Sequence, residues 1–277
     1  MPAPVATAMQ QLARTKFMSF GLTVPERWQQ PAGEAGDQFN NAFEPSEKVT
    51  QPAAPPLVLP ASMNLYHTDA QKMHNAKIGA FIDGITSAIC SGWDSWQKAA
   101  TLATVTVTGP MASGGVLVGP PMMPLIMASA PKSSPMQLKY STAVAGAFGD
   151  AWLMFTQTVK VAGLPWYPAF ALFPGPMAPP TPNVPTPFAT LVQVPASIST
   201  MALKGMMIGK LGDPMAPFHA QLFEAISFAI EQMYNLWKVS TMVTNVLGTG
   251  AVATFAPPVV PAGPVVGIAN MPPGGLV

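Results

Sequence analysis

Three long stretches without a charged side chain are the strongest constraint on how this chain folds. Residues 99–131, 161–203 and 239–277 contain no Asp, Glu, Lys or Arg. Charged residues make up 9% of the 277 residues, whereas an ordinary soluble domain has about 25%. A surface so poor in charge is badly solvated, and large uncharged patches usually mark a contact with another molecule. We therefore expect much of the chain to be buried against a second protein or a lipid.

An amphipathic pattern precedes the third uncharged stretch. Apolar residues recur at spacings of three and four between Phe218 and Trp237, as expected for one face of an α-helix. Asp213-Pro214 is a capping residue followed by a proline, and Gly248 is a typical helix-ending residue in the left-handed conformation. The pattern predicts a helix that ends at Gly248 and is followed by an uncharged, extended tail.

The same unit of helix, glycine and uncharged tail recurs twice upstream. Trp96 and Trp152 take the place of Trp237, and the spacing from Trp152 to Gly163 equals that from Trp237 to Gly248. The spacing from Trp96 to its glycine is two residues longer. The predicted repeat core contains Trp96, Trp152, Trp237, Ile89 and Ile230, and the predicted repeat-ending glycines are Gly109, Gly163 and Gly248. Core packing explains the equivalent tryptophans better than an aromatic ligand site does.

These repeats predict a mainly α fold, with extended or short β segments after each helix. Three degenerate helix-plus-apolar-tail units would pack around a pseudo-threefold axis, because no unit can bury its apolar face alone. The predicted segments are an N-terminal arm, partly extended, over residues 1–60, and repeats over 61–131, 132–203 and 204–277. The alternative is a low-complexity Ala/Met/Pro chain in which similar pieces recur by chance. The proline-rich part of the arm, residues 33–60, is either disordered or wraps a neighbouring subunit.

Shorter signals predict individual elements. Ser133 and Ser134 before Pro135 predict a capped helix start. The alternation of β-branched residues from Thr104 to Gly109 favours a strand over a helix end. The proline-rich residues 164–185 predict a polyproline-like or irregular segment.

No arrangement of residues indicates catalysis or a cofactor. His67, His74 and His219 lie near predicted helix starts, and no serine carries a nucleophile signature. Cys90 lies within a predicted helix among apolar neighbours, which indicates a buried structural thiol. These four residues could in principle form a tetrahedral zinc site, but their spacing matches no known ligand pattern. We therefore predict a protein without metal or cofactor.

An enzyme is the remaining alternative to this interpretation. It would need a catalytic cluster assembled from Asp69, His74, Asp83 or His219. We predict instead that the protein is not an enzyme.

Charge and proline content also limit the classes of partner. The net charge of +1 argues against nucleic acid, which requires a basic surface. A membrane-spanning helix needs about 20 continuous apolar residues, whereas prolines interrupt residues 99–131 and 161–203. Membrane contact is therefore not favoured. The first residues lack the basic and apolar regions of a signal peptide, and one cysteine fits folding in a reducing compartment.

The low-charge, Pro/Met/Ala-rich tracts, such as residues 174–182, resemble structural proteins of phage tails and contractile injection systems. That group includes the spike-tip proteins that cap a trimeric spike. The Pro-Ala-Ala-Arg signature of one tip family is absent, so no residue role is carried over. Three similar units in one chain can match the symmetry of a trimer at its axis. Together with the resemblance, the repeats imply a non-enzymatic structural subunit, axial in position and docked on a multimeric, trimeric spike or tube. The resemblance further implies assembly in the bacterial cytoplasm and then residence in the particle. The alternative function is a membrane-active or secreted effector whose apolar tracts insert on delivery.

Overall fold

The computed structural model describes residues 3–22, 65–191, 196–257 and 262–277. Their helices are α1 (Ala6–Met18), α2 (Leu65–Ala99), α3 (Met122–Met127), α4 (Pro135–Thr158), α5 (Pro168–Ala171), α6 (Thr200–Leu211) and α7 (His219–Ser240). Their strands are β1 (Thr101–Thr108), β2 (Met111–Val118), β3 (Val161–Pro165), β4 (Met177–Pro182), β5 (Thr186–Pro187), β6 (Met242–Val243), β7 (Leu247–Val252) and β8 (Val265–Met271). Two short 3₁₀ helices cover Phe188–Thr190 and Ala196–Ile198.

Six strands form one antiparallel sheet in the order β3-β2-β1-β8-β7-β4, and β5 pairs with β6. The predicted mainly α fold with pseudo-threefold repeats is therefore wrong, since about 23% of the described residues are in strands. Strands from all three predicted repeats interleave in this single sheet, and a six-stranded sheet has no threefold axis. The prediction failed because strand pairs such as β1–β8 join residues more than 150 positions apart, and no local pattern reports such pairing.

The uncharged stretches coincide with the β structure. All eight strands lie within residues 99–131, 161–203 and 239–277. The charged residues in the described part of the chain lie in the helices or in the loops next to them. The three stretches that were interpreted as apolar tails thus supply the strands of the β structure. The molecule has a charged helical side and an uncharged sheet.

The predicted repeat-ending glycines do not end helices. Gly109 lies in the turn between β1 and β2 with φ +68°, and Gly163 lies in β3 with φ +117°. Gly248 lies in β7 against the ring of Trp166, where an added Cβ would lie 3.0 Å from the indole, closer than an ordinary contact. The preceding helices end instead at Ala99, Thr158 and Ser240. The predicted helix over residues 218–248 is therefore eight residues too long, because its last residues pair as β6 and β7.

Other local predictions are confirmed. Helix α4 begins at Pro135, and the Ser134 hydroxyl accepts a hydrogen bond from the Gln137 N–H at 3.2 Å. Strand β1 includes the alternating residues from Thr104 onward. The irregular segment predicted for residues 164–185 is wrong in part, because β4 lies within it. The prolines of β4 are tolerated since that strand is at the sheet edge.

Aromatic side chains from three helices form the centre of the core. Trp96 of α2, Trp152 of α4 and Trp237 of α7 are each at most 2% exposed. The ring centroids of Trp96 and Trp152 are 4.9 Å apart, and those of Trp152 and Trp237 are 5.7 Å apart. Ile89 and Ile230 are also fully buried. The five residues singled out as a repeat core thus all lie in the core.

One carboxylate connects three helices. Glu224 of α7 lies 3.1 Å from the Lys16 ammonium of α1 and 2.8 Å from the Lys204 ammonium of α6. The hydrogen bond from Lys204, together with Lys16, holds the pKa of Glu224 below its usual value. The ionised carboxylate therefore stabilises the docking of α1 and α6 on α7.

We expect Glu224→Gln to lower the free energy of unfolding by about 1 kcal/mol at pH 7, as is usual for partly exposed ion pairs. The folded-state pKa of Glu224 is lowered, so this stabilisation is present above the unfolded-state pKa of about 4.5. It is lost as the pH falls through the folded-state pKa. Urea unfolding of both proteins at pH 7 and pH 3 measures the difference.

The matched control for Glu224→Gln is Asp94→Asn, which removes an exposed pair with Lys98 within one helix. We expect this change to cost only about 0.3–0.5 kcal/mol. An equal loss for Glu224→Gln at both pH values would contradict the ionic contribution.

Candidate docking surface

The two faces of the six-stranded sheet have different surroundings. In β1, Val105 and Val107 are buried, whereas Thr106 and Thr108 between and after them are exposed. The buried side chains of β1, β2 and β8 belong to the same core as the helical aromatic residues. The strand period of two then sends every second side chain to the other face. That other face is open.

Exposed side chains form a continuous row across five strands. Met111 of β2 pairs with Thr108 of β1, and Thr108 pairs with Val266 of β8. Val266 pairs with Ala251 of β7, which pairs with Met177 of edge strand β4. All five residues are exposed. Directly paired residues share one face of an antiparallel sheet, so the row crosses most of the sheet.

A second row runs beside the first. Thr106 of β1 pairs with Ser113 of β2 and with Ile268 of β8. Ser113 pairs with Ala162, and Ile268 pairs with Thr249. The Ile268 side chain is 58% exposed. We call these two rows, with Val116 and Val118, the open sheet face.

The open sheet face is large and uncharged. None of its strands contains Asp, Glu, Lys or Arg. Six strands about 4.8 Å apart and about six residues long at 3.3 Å each cover roughly 570 Å². The largest apolar patch of a typical monomer is about 300–600 Å² and often functional, and a stable protein interface buries about 800 Å² per partner. The open sheet face is thus at the upper end of the patch sizes that are often functional, and it could supply most of one side of a stable protein interface.

The two edges of the sheet are less suited to strand addition. Edge strand β4 contains Pro179, Pro180 and Pro182, and edge strand β3 ends in Pro165. Proline has no N–H to donate to an added strand, and it is a common protection of sheet edges. A partner is therefore expected to stack on the face of the sheet.

The residues considered for a zinc site have other environments. Cys90 is buried on α2, and desolvation raises the pKa of its thiol to about 12. A ring nitrogen of His219 contacts the Ala216 carbonyl oxygen. His74 lies on the wall of a groove beside α2, and the side chain of His67 lies outside the described residues. Within the described part of the chain, no group of three or more His, Cys, Asp or Glu is arranged to hold a metal.

Of the two acidic residues considered for catalysis, Asp83 has a defined ion-pair partner. Asp83 receives two hydrogen bonds from the Arg14 guanidinium, at 2.7 and 2.5 Å, and these connect α2 to α1. The side chain of Asp69 lies outside the described residues. Asp83 is therefore a structural ion-pair partner.

No helix among the described residues combines the length and the apolar character needed to cross a membrane.

The residues of the open sheet face were not identifiable from the sequence. The alternation from Thr104 to Gly109 predicted one strand, but its threonines did not indicate a surface, because the partner strands were not known. Ile268 and Val266 lie beside Thr106 and Thr108 only because β8 pairs with β1. The absence of charge in three separate stretches was the available signal.

The chain matches no protein-family model, no curated protein and no solved structure. The geometry of the open sheet face is therefore the basis for a functional proposal.

Proposed function

We propose that this protein is a non-enzymatic structural subunit that docks on a protein partner through the open sheet face. The observation that carries the proposal is the segregation of charge. The described charged residues lie on or beside the helices, whereas the strands have none. An exposed, uncharged sheet face is costly to solvate and is stabilised when a partner covers it.

The chemistry of this face restricts the partner. A charged partner surface would lose its hydration on docking and would find no opposite charge on the sheet, which is unfavourable. The partner surface is therefore uncharged and flat. A sheet of another protein meets both conditions, because sheets stack face to face about 10 Å apart. Thr106, Thr108 and Ser113 offer hydroxyl groups for hydrogen bonds to it.

We further propose a phage-tail-like or contractile injection assembly as the place of docking, supported by the low-charge, Pro/Met/Ala-rich tracts. Permanent burial in a particle removes the need for a charged sheet surface. The axial position on a trimeric partner was inferred from threefold repeats, and the single sheet removes that support. The membrane-active alternative needs free apolar tracts, whereas those tracts are paired into strands.

Ile268→Asp tests the proposal by placing one charge at the centre of the open sheet face. An uncompensated charge in a buried contact costs about 3–5 kcal/mol, so we expect docking to weaken at least about a hundredfold. The measurement is the fraction of the protein that sediments with high-molecular-weight particles from cells that produce it. The wild-type chain should be in the particle fraction and the variant in the light fraction.

Met201→Asp is the matched control, since Met201 is 84% exposed on α6 and away from the sheet. It should remain with the particles. Met201→Asp should unfold within about 0.5 kcal/mol of the wild type, as exposed substitutions do. Ile268→Asp should lose about 1 kcal/mol, the span of strand propensities, and remain folded. Wild-type protein outside any particle, or an Ile268→Asp variant that sediments like the wild type, would refute the proposal. Recovery of the wild type in membranes would favour the membrane-active alternative.

A further inference from the structure

The strands of the open sheet face contain no Asp, Glu, Lys or Arg, and this makes the face complementary to itself. Two copies of a surface with charges of one sign repel each other. Two uncharged faces meet without that repulsion, and neither buries an ion without a partner. In a twofold dimer the same patch lies on both subunits. A second copy of this face therefore meets the requirement for a flat, uncharged partner.

The sizes of the side chains are also compatible with stacking on a second copy. Strand β1 lies between β2 and β8 in the sheet. In the row through Thr106, the neighbour on β2 is the small Ser113, and the neighbour on β8 is the large Ile268. A twofold axis that runs along β1, between the two stacked sheets, places β2 of one copy over β8 of the other. Ser113 then lies opposite Ile268, so that a small side chain faces a large one, as close packing requires.

Other residues of the two rows form uncharged pairs under the same rotation. Ala162 of β3 lies opposite Thr249 of β7, since each is one strand further from the axis than Ser113 and Ile268. Met111 of β2 lies opposite Val266 of β8, and these side chains are 50% and 46% exposed. Stacking removes such apolar side chains from water, which is the main favourable contribution to most protein association.

The threonine hydroxyls of β1 form suitable pairs along the axis. Thr106 and Thr108 are exposed, and each lies opposite its own counterpart in the second copy. A hydroxyl both donates and accepts hydrogen bonds, so two identical threonines are compatible partners. Stacked sheets lie about 10 Å apart, a spacing at which a bridging water connects two short side chains. A carboxylate, which only accepts, or an ammonium, which only donates, would have no such partner in a copy of itself.

The area of the face is sufficient for a dimer. The flat outline of roughly 570 Å² on each copy gives roughly 1,140 Å² for the pair, and side chains that project from the sheet add to it. A biological interface buries at least about 1,000 Å² in total. The prolines of edge strands β3 and β4 disfavour pairing edge to edge, so two copies meet through their faces.

We propose that the open sheet face binds a second copy of this chain, face to face, with β1 of both copies along the twofold axis. This inference rests on the proposed function, because it names the partner of the same docking surface. Each copy supplies the flat, uncharged surface that the other needs. The dimer carries the charged helices of both copies on its outside, and it is the form that is built into a particle.

Sedimentation velocity of the purified full chain tests the proposal. The wild type should sediment as a dimer at about 100 μM, above the micromolar dissociation constants of weak interfaces. Thr106→Asp and Thr106→Lys each place two like charges opposite each other across the axis, so each variant alone should sediment as a monomer. An equimolar mixture of the two variants should restore a dimer with one copy of each, because the facing charges are then opposite.

Met201→Asp and Met201→Lys are the matched controls, because they place the same charges on α6, away from the sheet. Both should remain dimers, alone and mixed. A monomeric wild type, or Thr106 variants that dimerise like the wild type when alone, would overturn the proposal. So would folded Thr106 variants that stay monomeric when mixed.

A crosslinking measurement covers the case in which a charged Thr106 variant does not fold. Thr106→Cys, treated with a short bismaleimide, should give a covalent dimer through position 106. Met201→Cys should give none, and the wild type controls for Cys90, which is buried. A Thr106→Cys chain that reacts with maleimide but stays monomeric would contradict the position of β1 at the axis.

The results also distinguish this inference from the proposed function. If Ile268→Asp leaves the particle fraction while the purified wild type is a monomer, the face docks on a different protein. The proposed function then holds and the second copy is wrong. If the purified chain forms this dimer but is absent from particles, the second copy is correct and the assignment to a particle is wrong.

Discussion

Trp237→Ala is expected to lower the free energy of unfolding by about 3–5 kcal/mol, the range for a large buried aromatic residue. The Trp237 ring centroid lies 5.0 Å from that of Phe188 and 5.4 Å from that of Trp93. Its indole N–H donates a hydrogen bond to Gln97 Oε1 at 2.8 Å, and Gln97 donates to the Leu276 carbonyl oxygen. The substitution thus leaves a cavity and a buried amide oxygen without this donor.

Urea or thermal unfolding, followed by circular dichroism, measures the effect of Trp237→Ala. Leu236→Ala is the matched control, because Leu236 is the preceding residue of α7 and is 47% exposed. We expect the control to cost less than about 1 kcal/mol. A similar unfolding midpoint for Trp237→Ala and the wild type would show that this tryptophan is not a core anchor.

Gly267→Ala is expected to have the second large effect, a loss of about 3 kcal/mol, at the upper end of the usual range for overpacking. Gly267 of β8 pairs directly with Gly250 of β7. A Cβ at Gly267 would overlap the Thr249 carbonyl oxygen, and one at Gly250 would overlap that of Val266. Backbone atoms cannot move aside as a flexible side chain can, so β7 and β8 would have to separate.

Gly205→Ala makes the same chemical change with the opposite expected sign. Gly205 lies within α6, and a Cβ there would meet no atom within 4 Å. Replacing a helical glycine by alanine should therefore raise the free energy of unfolding by about 0.8–1 kcal/mol. The comparison of both variants by urea unfolding separates crowding in the sheet from the general effect of alanine. Destabilisation of equal size at both positions would contradict the close approach of β7 and β8.

These predictions depend on the sequence to different degrees. Trp237 was identifiable as a core residue from its place on the apolar face of a helix, and the structure buries it. The importance of Gly267 was not identifiable, because its constraint comes from Gly250 and Thr249 on a neighbouring strand.

Neighbours in the chain were enough to define the start of α4 and the apolar faces of the helices, because helical hydrogen bonds and caps join residues three or four apart. They also defined three stretches that have no charge. Only the tertiary structure decided that these stretches form one six-stranded sheet, since pairs such as Leu102 with Met271 bring together residues that are 169 positions apart in the chain. Strand pairing stabilises each segment through remote partners, and the open sheet face exists because those partners align exposed residues in rows.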